Sequence, residues 1–265
     1  MNESVQTIKA YYDAHVEGKL RGFVEGNERV ECAWTTIEQW APSCPKRILE
    51  IGCGIGDICW RMTRRWKESQ VAGLDISPKS VEIARKLFGS SRLSFCARPL
   101  VKGTYSGQFD LIVLVDVYEH IPVGERGSLH EAIRELRGDG SRIVLTFPTP
   151  RHQAWLKQNQ PDRIQPTDED ISIETIAVLA RETGTEVLLY KEVGVWHDGD
   201  YAHAVLGKWT GWEPVAHTGS SNRGIRRAIK NFLFESDTTL VPPRSERLAL
   251  VQQRLGPECY SVKQT

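Results

Sequence analysis

The chain has 265 residues, enough for one large domain or one domain with extensions. Its 34 basic and 34 acidic side chains cancel, so no broad basic field marks it for nucleic acid or an anionic membrane. None of its six cysteines forms a CxxC pair, which argues for free thiols rather than a disulfide framework or a zinc site.

In chain order, residues 1–41 read as mostly helical, with Tyr11, Tyr12, Phe23, Trp34 and Trp40 spread along them. They carry no apolar core of signal-peptide type, and no run is long enough to span a bilayer. A cytoplasmic protein without a membrane span is expected. "RILEIGC" (47–53) is a short apolar run ending in glycine, a buried parallel strand. "DICWRMTRRWK" (57–67) reads as a helix and "VAGLDIS" (71–77) as a second strand. "SPKSVEIARKLFG" (77–89) is a helix, with Ser77 placed to cap it, Pro78 in its first turn and Gly89 past its end. "LSFCA" (93–97) is a third strand and "FDLIVLVDV" (109–117) a fourth, the most apolar and hence central. A helix (125–138), a fifth strand "SRIVLTFP" (141–148) and a helix (170–184) follow. "TEVLLYKEVG" and "YAHAVLGKW" end the pattern as two strands. Only "VWHDGD" joins them, too short for a crossover, so they pair antiparallel.

Strands alternating with helices give a doubly wound α/β fold around a seven-stranded mixed sheet. The expected organisation is an N-terminal helical cap (1–41), the α/β domain (42–218) and a basic, helical C-terminal extension (219–265) built on "RGIRRAIKNFLF" and "RSERLALVQQRLG".

Ligands of open α/β sheets bind beyond the carboxyl ends of strands. There the chain reads "RILEIGCGIGD", with Glu50 ahead of Gly52, Gly54 and Gly56. A dinucleotide fingerprint needs a third glycine where this chain has Asp57, and an acid at a helix start repels pyrophosphate. The loop suits a ligand with a cationic part and no phosphate. Asp75 ends the second strand, where a carboxylate can accept both hydroxyls of an unphosphorylated ribose. The fourth strand runs into Asp116, Tyr118, Glu119 and His120.

Together these three motifs resemble the class I S-adenosylmethionine-dependent methyltransferases, over about residues 47–209. The resemblance implies S-adenosylmethionine as cofactor. It places Glu50, Gly52, Cys53, Gly54 and Gly56 around the methionine part and Asp75 on the ribose. Ile76 becomes a wall for the adenine, and Asp116 and Val117 line the methyl-transfer site. It also implies N-terminal helices that close over the cofactor, with Tyr12 beside it and Tyr11 and Arg21 in the lid. Where such enzymes often carry an acid for the adenine amino group, this chain has Ala97 and Arg98.

Methyl transfer to a hydroxyl needs alignment and a base. His152 after the fifth strand and His120 after the fourth are candidates, with Asp168 or Asp170 orienting the acceptor or the base. Residues 147–172 read as a long, proline-broken loop rich in Gln153, Gln158, Asn159, Gln160 and Gln165, with Trp155 as a flat apolar face. Amides, acids and an aromatic plate suit a sugar, so Trp155, Gln153 and Tyr118 are the substrate-binding candidates. The wording of this segment and of the N-terminus is similar to methyltransferases of bacterial glycan and O-antigen biosynthesis. The partner expected is thus a small-molecule or glycan acceptor, not nucleic acid. No metal is required, although Asp116, Asp168 and Asp170 could gather round one. Methylation of another small metabolite at nitrogen or oxygen, an NAD-dependent oxidoreductase and a non-catalytic S-adenosylmethionine-binding regulator stay open beside sugar O-methylation.

Overall fold

The structure is a computed structural model and describes residues 3–209 and 241–260. Three helices come first: α1 (Glu3–Ala14), α2 (Val16–Glu25) and α3 (Glu28–Trp40). Then β1 (Arg47–Ile51), α4 (Asp57–Arg65), β2 (Gln70–Asp75), α5 (Pro78–Phe88), β3 (Leu93–Ala97) and β4 (Phe109–Val115) alternate. After a short 3-10 turn (Tyr118–His120) come α6 (Val123–Leu136), β5 (Arg137–Pro148), α7 (Pro150–Asn159) and α8 (Ile173–Thr183). Two strands, β6 (Glu186–Val193) and β7 (Tyr201–Gly207), close the sheet, and α9 (Arg244–Leu255) lies beyond.

The seven strands lie in the order β3-β2-β1-β4-β5-β7-β6. The first five run parallel, and β7 inserts antiparallel between β5 and β6. Both the mixed sheet and the central place of β4 follow the sequence pattern. β4 alternates Leu111 and Val113 on one face with Ile112 and Leu114 on the other, all fully buried. An apolar side chain at every position is what a strand covered on both faces requires. Strand order reverses between β1 and β4, which opens a crevice at their carboxyl ends.

Local signals set the helix ends. Ser77 accepts from the Ser80 amide, Pro78 opens α5, and the Gly89 amide closes it on Arg85 O. One expectation fails here. Residues 147–172 are not one long loop, because Thr149 and Pro150 start α7: the Thr149 side chain caps the His152 amide and Pro150 sits in the first turn.

The N-terminal helices are bolted to the sheet. Arg61 of α4, 1 % exposed, donates to both oxygens of Glu31 on α3 (2.8 and 2.7 Å) and to Asp57. A buried guanidinium is tolerated when its N–H groups find carboxylates, and a bidentate pair does this well. Phe23 of α2 packs edge-on against Trp60 and Phe88. From the C-terminal side, Arg244 of α9 pairs with Glu25 of α2, and the Tyr260 hydroxyl donates to the same carboxylate. The basic stretch at 223–234 lies outside the described residues. Among the described residues no helix is long and apolar enough to cross a membrane.

Candidate active site

A cavity of about 740 Å³ opens at the carboxyl ends of β1, β2 and β4, under α1, α2 and α3. Its floor is the glycine turn. The Cys53 amide donates to Leu74 O (2.8 Å) and the Gly54 amide to Asp75 Oδ2 (2.7 Å), tying the turn to β2. Gly52 and Gly56 are glycines for a steric reason. At φ 73° a Cβ on Gly52 would lie 2.1 Å from Val117, and at φ 90° one on Gly56 would lie 2.7 Å from Phe95. Gly54, at φ 53°, lies against the Lys19 side chain: a Cβ there would sit 3.6 Å from Lys19 Nζ.

Asp75 is buried and both its oxygens are used, Oδ2 by Gly54 N and Oδ1 by Ser77 N (2.8 Å). Each oxygen keeps a second lone pair that can accept from a ligand hydroxyl. Glu50 is buried in the same wall, and its Oε2 finds no hydrogen-bond partner among the described residues. Burial pushes its pKa up to about 8. Cys59 offsets part of that push, and a cationic ligand beside the unpartnered Oε2 would favour the ionised carboxylate.

At the other end of the cavity, Asp116 holds a left-handed backbone (φ 53°), the only non-glycine to do so among the described residues. Such strain persists where surroundings over-determine it. Here Arg29 Nε of α3 lies 2.6 Å from Asp116 Oδ2, Thr146 Oγ1 donates to Oδ1 (3.2 Å), and the Asp116 amide donates to Thr146 O (3.0 Å). The Asp116 charge raises the Arg29 pKa further. Arg29 Nη1 also reaches the Tyr201 hydroxyl (3.4 Å).

His120 stands beside this pair in the cavity wall. Its Nδ1 lies 2.9 Å from both Thr167 O and Asp168 Oδ1. A carbonyl only accepts, so Nδ1 carries the proton and Nε2 is the face left for other chemistry. Asp168 Oδ2 also accepts from the Gln165 amide (2.9 Å), and the Glu169 amide donates to Glu119 O (2.9 Å). Residues 165–169 are thereby clamped onto the turn that carries His120. Burial works against the imidazolium, but Glu119 (3.7 Å from Nε2), Asp168 and the Thr167 carbonyl outweigh it and push His120 up to about 9. Burial pushes Glu119 up to about 7. Tyr12 lines the cavity 6.1 Å from the His120 ring, and burial with the nearby Glu119 raises its hydroxyl well above the ordinary value.

The sequence candidates therefore separate into two groups. Glu50, Gly52, Cys53, Gly54, Asp75, Ile76, Asp116, Val117, Tyr12 and His120 all line the cavity. Gly56 holds the turn from beneath, and Asp168 reaches the cavity through His120. His152, Trp155, Gln153, Tyr118 and Asp170 do not line it. His152 starts down α7 and is buried among Trp155, Trp196, His197 and Tyr201. Tyr118 is fully buried, its hydroxyl 2.8 Å from His130 Nε2 in the core between β4 and α6. Gln153 is buried on α7, and Asp170 is half exposed near Lys157. Asp116, Asp168 and Asp170 take separate partners (Arg29, His120 and Lys157) and do not gather. Sequence reasoning misses Arg29 and Lys19, which enter the cavity from the N-terminal helices; no motif surrounds either.

Residues 48–140 match the family described as "Methyltransferase domain". The chain is 27% identical over 109 residues to the malonyl-[acyl-carrier protein] O-methyltransferase of Acetivibrio thermocellus, covering 41% of this chain and 37% of that one. It is 27% identical over 108 residues to norajmaline N-methyltransferase of Rauvolfia serpentina, covering 39% and 36%. The chain spans about a third to a half of the length of the curated relatives it matches. Among solved structures, it is similar in fold to magnesium protoporphyrin IX methyltransferase from Synechocystis PCC 6803 with bound SAH, with a TM-score of 0.57, 14% identity, and 78% of this chain and 100% of that one covered.

Proposed function

We propose that this chain, whose residues 48–140 form a methyltransferase domain on the class I S-adenosylmethionine-dependent fold, transfers a methyl group from S-adenosylmethionine to a hydroxyl of a sugar or glycan. The residues of the cavity fit the cofactor. Glu50, buried with an unpaired oxygen, suits the cationic methionine part, and Lys19 beside Gly54 suits a free carboxylate. The spare lone pairs of Asp75 suit ribose hydroxyls, and Ile76 and Leu100 give an apolar wall without an acid, suited to an adenine face. When bound, S-adenosylmethionine supplies an electrophilic methyl on a sulfonium.

The one observation that carries acceptor chemistry is the fixed tautomer of His120. With Nδ1–H held by Thr167 O and Asp168, Nε2 takes the proton of an acceptor hydroxyl once the imidazolium, held up to about 9, has given up its own, so turnover should rise with pH toward that value. Arg29 holds the Asp116 charge beside His120, and α1, α2 and α3 supply part of the wall around the reacting atoms. Gln165, with an unpaired Oε1 in the cavity wall, offers the amide that a neighbouring sugar hydroxyl needs. Incubation with S-adenosylmethionine and a panel of sugars, nucleotide sugars and free glycans, read as mass gain of one methylene, tests this. The expected result is a methylated sugar with wild type and loss of turnover in His120→Ala. Methyl gain confined to amines, undiminished in His120→Ala, overturns the hydroxyl assignment.

A further inference from the structure

A second surface, separate from the cavity, carries the most unusual chemistry left in the fold. Trp155 on α7 is 38% exposed and Trp196, in the link between β6 and β7, is 50% exposed. His197 lies beside them, its ring 5.4 Å from that of Trp155. His152 backs the group, nearly parallel to Trp155 at 6.1 Å and 6.5 Å from Trp196. Large aromatic rings left in water lose the burial that would favour them, so two together call for an occupant.

The link that presents Trp196 and His197 is built to be still. Asp200 accepts from the amides of Val195 (2.8 Å), Trp196 (2.9 Å) and His197 (3.0 Å). The Thr149 amide donates to Asp200 O, and its hydroxyl donates to Gly199 O (both 2.9 Å), fastening the start of α7 to the same link. A carboxylate with three amide donors fixes a loop, and rings held rigid lose little entropy when a ligand stacks on them.

We propose that Trp155 and Trp196 form a saccharide-binding subsite outside the reaction cavity, one that holds the part of a glycan acceptor beyond the reacting sugar. This rests on the sugar-acceptor reading above. Sugar rings offer flat C–H faces to an aromatic plate and hydroxyls at their edges. The surface matches both demands, since His197 and the Arg151–Glu192 pair (2.6 Å) break its apolar area with polar groups. Buried packing links the surface to the cavity wall. The Tyr201 ring packs against Trp196 and His152, and its hydroxyl meets Arg29 in the cavity wall.

The test is binding of the labelled full chain, saturated with S-adenosylhomocysteine, to an array of immobilised glycans. Wild type is expected to bind a subset of them. The double variant Trp155→Ala/Trp196→Ala should bind those on the order of tenfold more weakly, while Trp196→Phe, which keeps a flat ring, retains most of the affinity. Calorimetry with S-adenosylhomocysteine should give the same affinity for all three proteins, which guards against misfolding. An array with no wild-type binding, or equal binding by the double variant, overturns the subsite. If sugars are methylated yet the double variant binds the array like wild type, the subsite fails alone. If array binding depends on the two tryptophans but no sugar is methylated, saccharide binding at this surface stands, while its role in holding an acceptor falls with the acceptor assignment.

Discussion

Replacing Asp168 by Asn removes the charge that holds the His120 imidazole and keeps the shape of the side chain. In the wild type, Nδ1 lies 2.9 Å from Asp168 Oδ1 and from Thr167 O. Burial alone would hold the ring below its ordinary 6.5, yet Glu119, Asp168 and Thr167 carry it up to about 9. A charge-assisted hydrogen bond contributes about 1.5–3 kcal/mol, and a unit of pKa corresponds to about 1.4 kcal/mol. The His120 midpoint in Asp168→Asn should therefore fall by about 1–2 units. Stability follows with a definite sign. A histidine whose folded pKa lies above its unfolded one contributes stability fully below about 6.5, and that contribution is lost as pH rises through about 9. For wild type it amounts to roughly 3 kcal/mol at low pH, and the variant should lose about half of it or more. Titration of the imidazole proton resonances, assigned with His120→Asn, reads the midpoint; urea unfolding between pH 6 and 10, a range of about 4 units, reads the stability. A wild-type midpoint near 6.5, or one that Asp168→Asn leaves in place, would refute the coupling.

Three further outcomes follow from the same geometry. Asp75→Ala should weaken S-adenosylmethionine binding on the order of tenfold to a hundredfold by calorimetry, since it removes a charged acceptor and loosens the amides of Gly54 and Ser77. Gly52→Ala should cost about 1–3 kcal/mol in denaturant unfolding, because its Cβ would meet Val117 at 2.1 Å in a left-handed backbone. Glu31→Ala strips the bidentate partner from buried Arg61 and should cost about 2 kcal/mol of thermal or urea stability, whereas removing the exposed Glu82–Lys86 pair should cost almost nothing.

Much of the fold is written in local pattern. Predominantly apolar runs mark β1 and β4 as covered on both faces, and Ser77, Pro78 and Gly89 bound α5 by local signals, to which Asp13 of α1 adds a partner for the Ser77 hydroxyl and the Lys79 amide. The cofactor side of the cavity is equally local, because the glycine turn and Asp75 sit on adjacent strand ends and meet by hydrogen bonds along the same edge. The acceptor side is different. His152 lies four residues past Pro148, but Thr149 and Pro150 start a helix there and turn its ring under Tyr201 and away from the cavity. Arg29 meets Asp116 only after the chain has folded, with no spacing to announce the pair; Asp168 is a sequence candidate for orienting a base, but only the fold selects it over Asp170 and pairs it with His120. Tyr118 illustrates the other failure: a 3-10 turn rotates about 120° per residue, so its hydroxyl joins His130 in the core while His120, two residues on, faces the cavity.

The most direct measurement follows a ¹³C-labelled methyl of S-adenosylmethionine into product by NMR, with the glycan panel as acceptors and His120→Ala in parallel. Wild type should form a new labelled methyl bonded to oxygen on a sugar, and His120→Ala should form it on the order of a hundredfold or more slowly. Label that appears on nitrogen, or that leaves the cofactor at the same rate in both proteins, would contradict this.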